Sequence, residues 1–285
     1  MGALRSFWSY GRRNPNLLVG LFILLIIVLL GFVGPLFVNT DNARPISAMS
    51  GLSPSLDNPL GTDDMGRDLF AVLIAGIPRA LEIGLLAGAI GVGVGMILGF
   101  ISGYLGGTVD AVIRGVVDTL LTVPGLVVLI TIAATIREVL SVGSLALVIA
   151  LLAWMSPTRM IRAQVLSLRE RAYVKMAKLN GMNTAQIIMR ELLPNLLPYL
   201  AASYVGAVSG AVLASIGLEA LGLGPQNDPT IGMTIYWAMT FSALIRGMWW
   251  WWAPPITFII LLFIALFLVS SGLDEVANPR LRRSE

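Results

Sequence analysis

The stretch Leu17-Leu-Val-Gly-Leu-Phe-Ile-Leu-Leu-Ile-Ile-Val-Leu-Leu-Gly-Phe-Val-Gly-Pro-Leu-Phe-Val38 carries no charge and almost no side chain that seeks water. A run of roughly 20 apolar residues is what an α-helix needs to cross the ~30 Å hydrocarbon core of a bilayer. In lipid the helix is also one of two backbone arrangements that leave no N–H or C=O unpaired. Residues 17–38 therefore read as a membrane helix. A cleavable signal peptide is the competing reading, but its apolar core usually has about 7–15 residues and is followed by a small-x-small cleavage site. This run is longer, and no such site follows closely.

Further apolar runs cover residues 80–104, 111–136, 143–158, 196–218 and 254–273, giving about six transmembrane helices. The fourth is short and Pro157 closes it. The predicted fold is an all-α polytopic membrane protein. Its parts are an arm at 1–16, the first helix at 17–38, a loop at 39–79, a five-helix core at 80–273 and a tail at 274–285. Composition agrees: 56% of the 285 residues are hydrophobic and 12% charged, against about 25% charged in soluble domains. Thirty glycines and fifteen prolines fit membrane helices, where close packing and kinks are useful. Cysteine and histidine are both absent, which removes disulfides, thiol nucleophiles, the usual zinc sites and a Ser-His-Asp triad. No catalytic residue and no metal site is expected.

Basic residues orient the chain, because cytoplasmic segments carry the excess of Lys and Arg. With the N-terminus inside, Arg5, Arg12, Arg13, Arg114, seven residues from Arg159 to Arg190, and Arg280, Arg282 and Arg283 fall on the cytoplasmic side. That is fourteen of nineteen; Arg44, Arg67, Arg79, Arg137 and Arg246 fall outside. Both termini are then cytoplasmic and the loop at 39–79 extracytoplasmic. The tract Trp249-Trp-Trp-Trp252 reads as an aromatic belt at the outer headgroups, with stacking on a sugar or aromatic substrate as the alternative.

Gly91, Gly95, Gly99 and Gly103 recur every fourth residue, which puts small residues on one face for close helix contact. Gly93 makes the row look like half a dinucleotide fingerprint, but it lies in an apolar span. Gly206 and Gly210 repeat the pattern. Asp63, Asp64 and Asp68 suit local capping and pairing with Arg67 better than a hard cation. Asp118 is an intramembrane charge and so a functional candidate; it either pairs with Arg114 one turn earlier or touches substrate. Pro124-Gly125 is expected to kink that helix. The only lysines, Lys175 and Lys178, follow no Gly-rich phosphate loop, so the chain offers no ATP site of that kind.

Residues 159–195 are too long for a simple connection and too patterned for a linker. Arg169-Glu-Arg-Ala-Tyr-Val-Lys-Met-Ala-Lys-Leu-Asn180 reads as a helix with Tyr173, Met176, Ala177 and Asn180 near one face. Gly181 ends it as a C′ glycine would. A second helix starts at Asn183 or Thr184 and runs until Pro194 interrupts it. Such a helix-turn-helix at the cytoplasmic face could rest on anionic lipid, dock a protein or, least in keeping with a membrane tether, bind DNA.

Arg169 to Gly181, followed by Ile188 and Leu193-Pro194-Asn195, resembles the coupling motif of ABC-importer permeases. Ala177, Gly181, Ile188, Leu193 and Pro194 match it, whereas Lys175 and Met176 stand where the family usually has Glu and Ala. The resemblance narrows to the dipeptide/oligopeptide class through Asn58-Pro-Leu-Gly-Thr-Asp-Asp-Met-Gly-Arg-Asp68, Gly103-Tyr-Leu-Gly-Gly-Thr-Val-Asp110, Thr122-Val-Pro-Gly125, Gly217-Leu-Glu-Ala-Leu-Gly-Leu-Gly224 and Asn278-Pro-Arg-Leu281. It implies a five-helix core plus an extra N-terminal helix, in the inner or plasma membrane of a prokaryote. It also implies a second homologous permease subunit, two ATPase subunits that hold ATP and Mg, and an extracytoplasmic binding protein, with no nucleic acid. The ATPase-coupling residues would be Tyr173, Lys175, Met176, Ala177, Asn180, Gly181, Ile188, Leu193 and Pro194. Asp118, Pro124, Gly206 and Gly210 would border the pathway. Peptides are the implied cargo, with oligosaccharides or nickel in related members. An ATP-independent secondary transporter or channel is the rival from another class, but such proteins usually need more intramembrane carboxylates than Asp118.

Overall fold

The computed structural model describes residues 14–136 and 138–277. Expectations that rest on Arg5, Arg12, Arg13, Arg137, Arg280, Arg282, Arg283 and the Asn278–Leu281 motif lie outside the described residues. Among the described residues, regular structure is helical apart from one antiparallel bridge between Thr62 and Asp68. Four helices are long and apolar enough to cross a membrane, and two bent helix pairs bring the number to six.

The run at 17–38 folds as α1 (Pro15–Val33) and a following 3-10 turn (Gly34–Leu36). Asn14 caps it by accepting the Leu17 N–H, and Pro15 stands at N1, where a missing donor is harmless. The Asn14 amide donates to the Gly272 carbonyl and to Glu275, which ties the start of α1 to the last helix.

The second helix, α2 (Leu69–Leu105), starts well before the apolar run at residue 80. Asp68 accounts for the early start: its carboxylate accepts the Phe70 and Ala71 N–H groups. Hydropathy misses this part because Arg79 interrupts it, yet Arg79 turns back to donate to the Ala75 carbonyl and pairs with Asp228 at 3.4 Å. At about 1.5 Å per residue, 37 residues reach ~55 Å, so α2 outlasts the hydrocarbon layer.

The third run is two helices, α3 (Gly107–Leu121) and α4 (Gly125–Thr135), meeting at 79°. Pro124 precedes α4, where the expected kink falls. The fourth run continues past its expected end: α5 (Val142–Ala153) bends by 42° at Trp154 into α6 (Met155–Arg169). Pro157 does not close it. It lies in the first turn of α6, whose N–H groups have no intrahelical partner to lose.

After α7 (Ala172–Leu179) and α8 (Thr184–Ile187) the helical winding continues through a π turn (Ile188–Leu192) into α9 (Leu193–Ala220). Pro194 therefore does not interrupt the chain. The wide turn makes room where a proline ring would press on the carbonyl four residues back, and the Asn195 amide donates to the Glu191 carbonyl at 2.6 Å. A short helix unmarked by any apolar run, α10 (Ile231–Thr240), precedes α11 (Trp249–Ala277). The last helix begins at Trp249, with Pro254 and Pro255 inside it, rather than at residue 254.

α2 is the central post. A Cβ at Gly91, Gly95, Gly99 or Gly103 would come within 2.6–3.0 Å of α5–α6 atoms: Ala153, Pro157, Ile161 and Val165 side chains, and the Ala153, Trp154, Thr158 and Arg162 carbonyls among them. The four-residue glycine row is thus a zipper of backbone against backbone. On another side of α2, Gly84 and Gly88 meet Val208 and Val212 of α9.

The tryptophan tract is not one belt. Trp249 is exposed as a belt residue would be, but Trp251 is fully buried with Leu69, Ala238, Ala243 and Met248 and stacks on Phe241 at 5.9 Å. A buried ring cannot stack on a passing substrate.

Candidate functional site

At one end of the molecule the segment from Arg169 to Leu193 forms a ledge. Val174 and Ala177 of α7 are buried on a cluster of Phe100, Ile161, Val165, Ile187, Leu192 and Leu196. Ile188 and Leu193 pack against the same cluster. Tyr173, Lys175, Met176, Leu179 and Asn180 face outward. The sequence grouped Tyr173, Met176, Ala177 and Asn180 on one face; the structure turns Ala177 inward and leaves the other three outside. Leu179, at 80% exposure, was not singled out, although it is the most exposed apolar residue of α7. Partial burial pushes the Tyr173 phenol above its usual pKa, so it stays a neutral donor at pH 7.

Gly181 terminates α7 with φ +79°. The Gly181 N–H donates to the Lys178 carbonyl and the Met182 N–H to the Ala177 carbonyl, the paired bonds of a Schellman ending. A Cβ here would meet nothing within 4 Å. The glycine is needed for its backbone conformation, and the space outside it is open. Asn183 then caps α8 in a reciprocal box with Gln186, each side chain accepting the other's backbone N–H at 2.9 Å. Lys175 has a partner within the chain, Glu170 at 3.4 Å, and Glu170 also reaches Arg169 at 3.4 Å. Arg169 in turn donates to the Gly103 carbonyl in the last turn of α2. That bond fastens the ledge to the central post.

Above the ledge, α4, α5, α6, α9 and α11, with Leu121 at the end of α3, line a half-open cavity of about 750 Å³. Gly206 and Gly210 border it, and a Cβ at either would meet nothing within 4 Å. Their small size leaves a space open, whereas the row on α2 closes one. Most of the lining is apolar; Ser156, Tyr199, Ser203, Ser270 and Asp274 are the polar exceptions. Asp274 was missed in the sequence because it sits at the end of an apolar run. Pro124 ends the linker at the foot of α4 and is exposed; the adjoining Gly125 and Leu126 reach the cavity.

A second cavity, about 440 Å³, lies between α3 and α6 and shares Leu121 with the first. Asp118, Arg114, Arg159 and Arg162 line it. The expected Asp118–Arg114 ion pair is not formed: no described ion pair joins them. The pair in this region is Arg162 with Asp110, made through both Arg162 Nε and Nη2, with Ser102 donating to the same carboxylate at 2.5 Å. Helix spacing could not reveal a bond between residues so far apart in the chain.

At the opposite end, Asp63 holds Arg67 at 2.6 Å while both are buried, Asp68 caps α2, and Asp64 pairs with Arg246. Asp63 and Asp68 are thus occupied locally, whereas Asp64 pairs with a residue far along the chain and not with Arg67. Glu219, in the last turn of α9, is 2% exposed. It accepts the Thr230 hydroxyl at 2.6 Å and the Met233 N–H at 3.1 Å, which ties α9 to the start of α10. Gly224 and Gly232 leave room for it: a Cβ on either would come within 2.5 Å of the Glu219 side chain. The sequence showed this carboxylate only as part of a glycine-rich motif.

A bundle of up to six helices long and apolar enough to cross a membrane, with a cavity among them and an exposed ledge at one end, defines a polytopic integral membrane protein. Residues 95–283 match the family described as binding-protein-dependent transport system inner membrane component. Residues 2–54 match the N-terminal TM domain of oligopeptide transport permease C. The chain belongs to the first of these families, the permease subunits of ABC importers. Among its relatives, the dipeptide transport system permease protein DppC of Bacillus subtilis (strain 168) is 30% identical over 276 residues, 97% of this chain and 85% of that protein. DppC of Haemophilus influenzae is 29% identical over 98% of this chain and 96% of its own. The oligopeptide transport system permease protein OppC of Bacillus subtilis (strain 168) is 28% identical over 95% and 88%. A solved chain of the inward-facing MetNI methionine ABC transporter shares the fold, with a TM-score of 0.54 at 18% identity over 74% of this chain and 97% of that one.

Proposed function

We propose that this permease forms half of a translocation pathway for peptides, beside a second homologous permease. The relatives named for dipeptide and oligopeptide transport, matched over nearly their whole length, support the cargo class. An extracytoplasmic binding protein delivers the peptide. Two ATPase subunits bind ATP and Mg, so the chain performs no catalysis itself. In this reading the ledge faces the cytoplasm of a prokaryote, as do both termini. Its basic side chains, among them Arg169, Arg171, Lys178 and Arg190, suit the cytoplasmic surface and anionic lipid.

The observation that carries the reading is the ledge itself. Val174 and Ala177 anchor α7 inward, while Tyr173, Met176 and Leu179 offer an apolar face to a partner beside the open Gly181 turn. ATP-driven closure of the ATPases would carry α7, and through Arg169 and the winding into α9 it would move the walls of the cavity. Ile188, Leu193 and Pro194 belong to that connection rather than to the docking face.

Gly181→Val tests this. A β-branched residue at φ +79° strains the turn by about 1–2 kcal/mol and fills the open space. Membrane content of the permease should stay near normal while copurification of the ATPases and peptide-stimulated ATP hydrolysis fall severalfold. Unchanged copurification and transport would return the ledge to a lipid-contact role.

A further inference from the structure

We propose that the polar cavity between α3 and α6 is a transient site for the charged ends of the transported peptide, with its carboxylate on Arg114 and Arg159 and its ammonium on Asp118. The inference rests on the peptide reading above and adds a site to it. Arg162, the third arginine in the lining, is committed to Asp110. Arg114, Arg159 and Asp118 have no ion-pair partner among the described residues. Opposite charges four residues apart on a helix are within reach of each other, although the base-before-acid order found here is the weaker one. These two instead remain separate and both border the same cavity.

Spacing supports a short zwitterion. Residues 114 and 118 are offset by about 6 Å along α3 at 1.5 Å per residue, within reach of a di- or tripeptide, which spans at most about 7–11 Å when extended. Charge supports it as well. Once Arg162 and Asp110 cancel, two cations and one anion remain, so the cavity can hold both ends of a peptide. A phospholipid phosphate would gain the arginines but meet Asp118 as a like charge. Position supports it too, because Leu121 lines both cavities, so the charged one adjoins the larger one. A pathway whose walls are mostly apolar and small in side chain has little with which to tell one peptide side chain from another. The two termini are the features every peptide shares.

The test uses the assembled importer in lipid nanodiscs without its binding protein, and follows isotope-labelled trialanine by NMR line broadening. Asp118→Asn and Arg159→Gln should each weaken trialanine by about two- to fivefold, as for exposed charge pairs, with melting temperatures unchanged. N-acetyl-trialanine should bind the unmodified importer as weakly as trialanine binds Asp118→Asn, and should lose nothing further in that variant. Trialanine amide should show the same relation to Arg159→Gln. Equal binding of free and blocked peptides, or variants that bind trialanine as the unmodified protein does, would overturn the assignment. Tighter binding of glycerol 3-phosphate than of trialanine, strengthened by Asp118→Asn, would overturn it in favour of a lipid headgroup. Uptake through the complete importer separates the two levels. If the unmodified importer moves no mixture of di- and tripeptides, the peptide reading fails; if it moves them and both variants match it, only the terminal-charge site fails.

Discussion

The glycines of α2 and those of α9 have the same spacing and opposite uses. Gly91, Gly95, Gly99 and Gly103 let two backbones touch, and an added methyl group at any of them would overlap α5 or α6. Gly206 and Gly210 also lie four residues apart on one face, yet an added methyl group would touch nothing. A small-residue stripe therefore states that a helix face is low, and the neighbouring helix decides whether the recess is filled. In α2 the recess is filled by the bend at Trp154, which carries α6 along the post. In α9 it borders the large cavity.

The largest effect that could break this contrast is expected at Gly95. Gly95→Leu drives a side chain into Pro157 and the Thr158 N–H, where a Cβ already stands at 2.6 and 2.9 Å. Overpacking of this kind costs about 1–3 kcal/mol or more, so the yield of folded protein in the membrane and its melting temperature should both drop sharply. A normal melting curve would show that α2 and α6 are not held by the zipper. Gly210→Leu should do the reverse, leaving yield and melting temperature near normal while peptide uptake by the complete importer falls about tenfold or more, as obstruction of a pathway costs activity rather than stability. Unimpaired uptake would mean that the cavity lies off the route.

The outward face of α7 resembles α9 in being open, and its charge is a smaller test. Lys175→Glu would set a carboxylate beside Glu170 in place of the 3.4 Å pair. Both side chains are more than half exposed, so the loss should stay within about 0.5 kcal/mol. ATPase coupling, read as peptide-stimulated hydrolysis, should fall less than twofold. A collapse of coupling would mean that Lys175 meets a carboxylate of the ATPase. The smallest effect belongs to Gly93, which lies on the same helix as the zipper but faces open space. Gly93→Leu should shift the melting temperature little, within about 0.5 kcal/mol of stability. A large loss there would erase the distinction between the two sides of α2.

Hydropathy made the number of spans legible, because lipid demands long apolar helices. Their ends were hidden wherever a polar side chain served the backbone. Arg79 looked like the edge of a span and instead folds back within α2, whose first residue, Leu69, lies eleven positions before the apolar run at 80 and follows the Asp68 cap. Prolines misled for the same reason. Pro157 and Pro194 look like stops, but one occupies a first turn and the other follows a π turn. Of the candidate site, Gly181 and the Asn183 cap were readable because both are local geometry. The Asp110–Arg162 pair, the Glu219 cluster and the separation of Asp118 from Arg114 were not, since each depends on which helices become neighbours.

The winding from Thr184 to Ala220 is continuous over 37 residues, about 55 Å at the rise of an α-helix. One end begins at the Asn183 box beside the ledge; the other holds Glu219, whose carboxylate grips the start of α10. Mechanically this is a strut fastened at both ends, with a π turn at Ile188–Leu192 and Pro198 further along it. In the proposed coupling, a thrust at the Gly181 end that the π turn does not absorb would be carried to Thr230 and Met233, so the far rim of the molecule would register it without a separate relay.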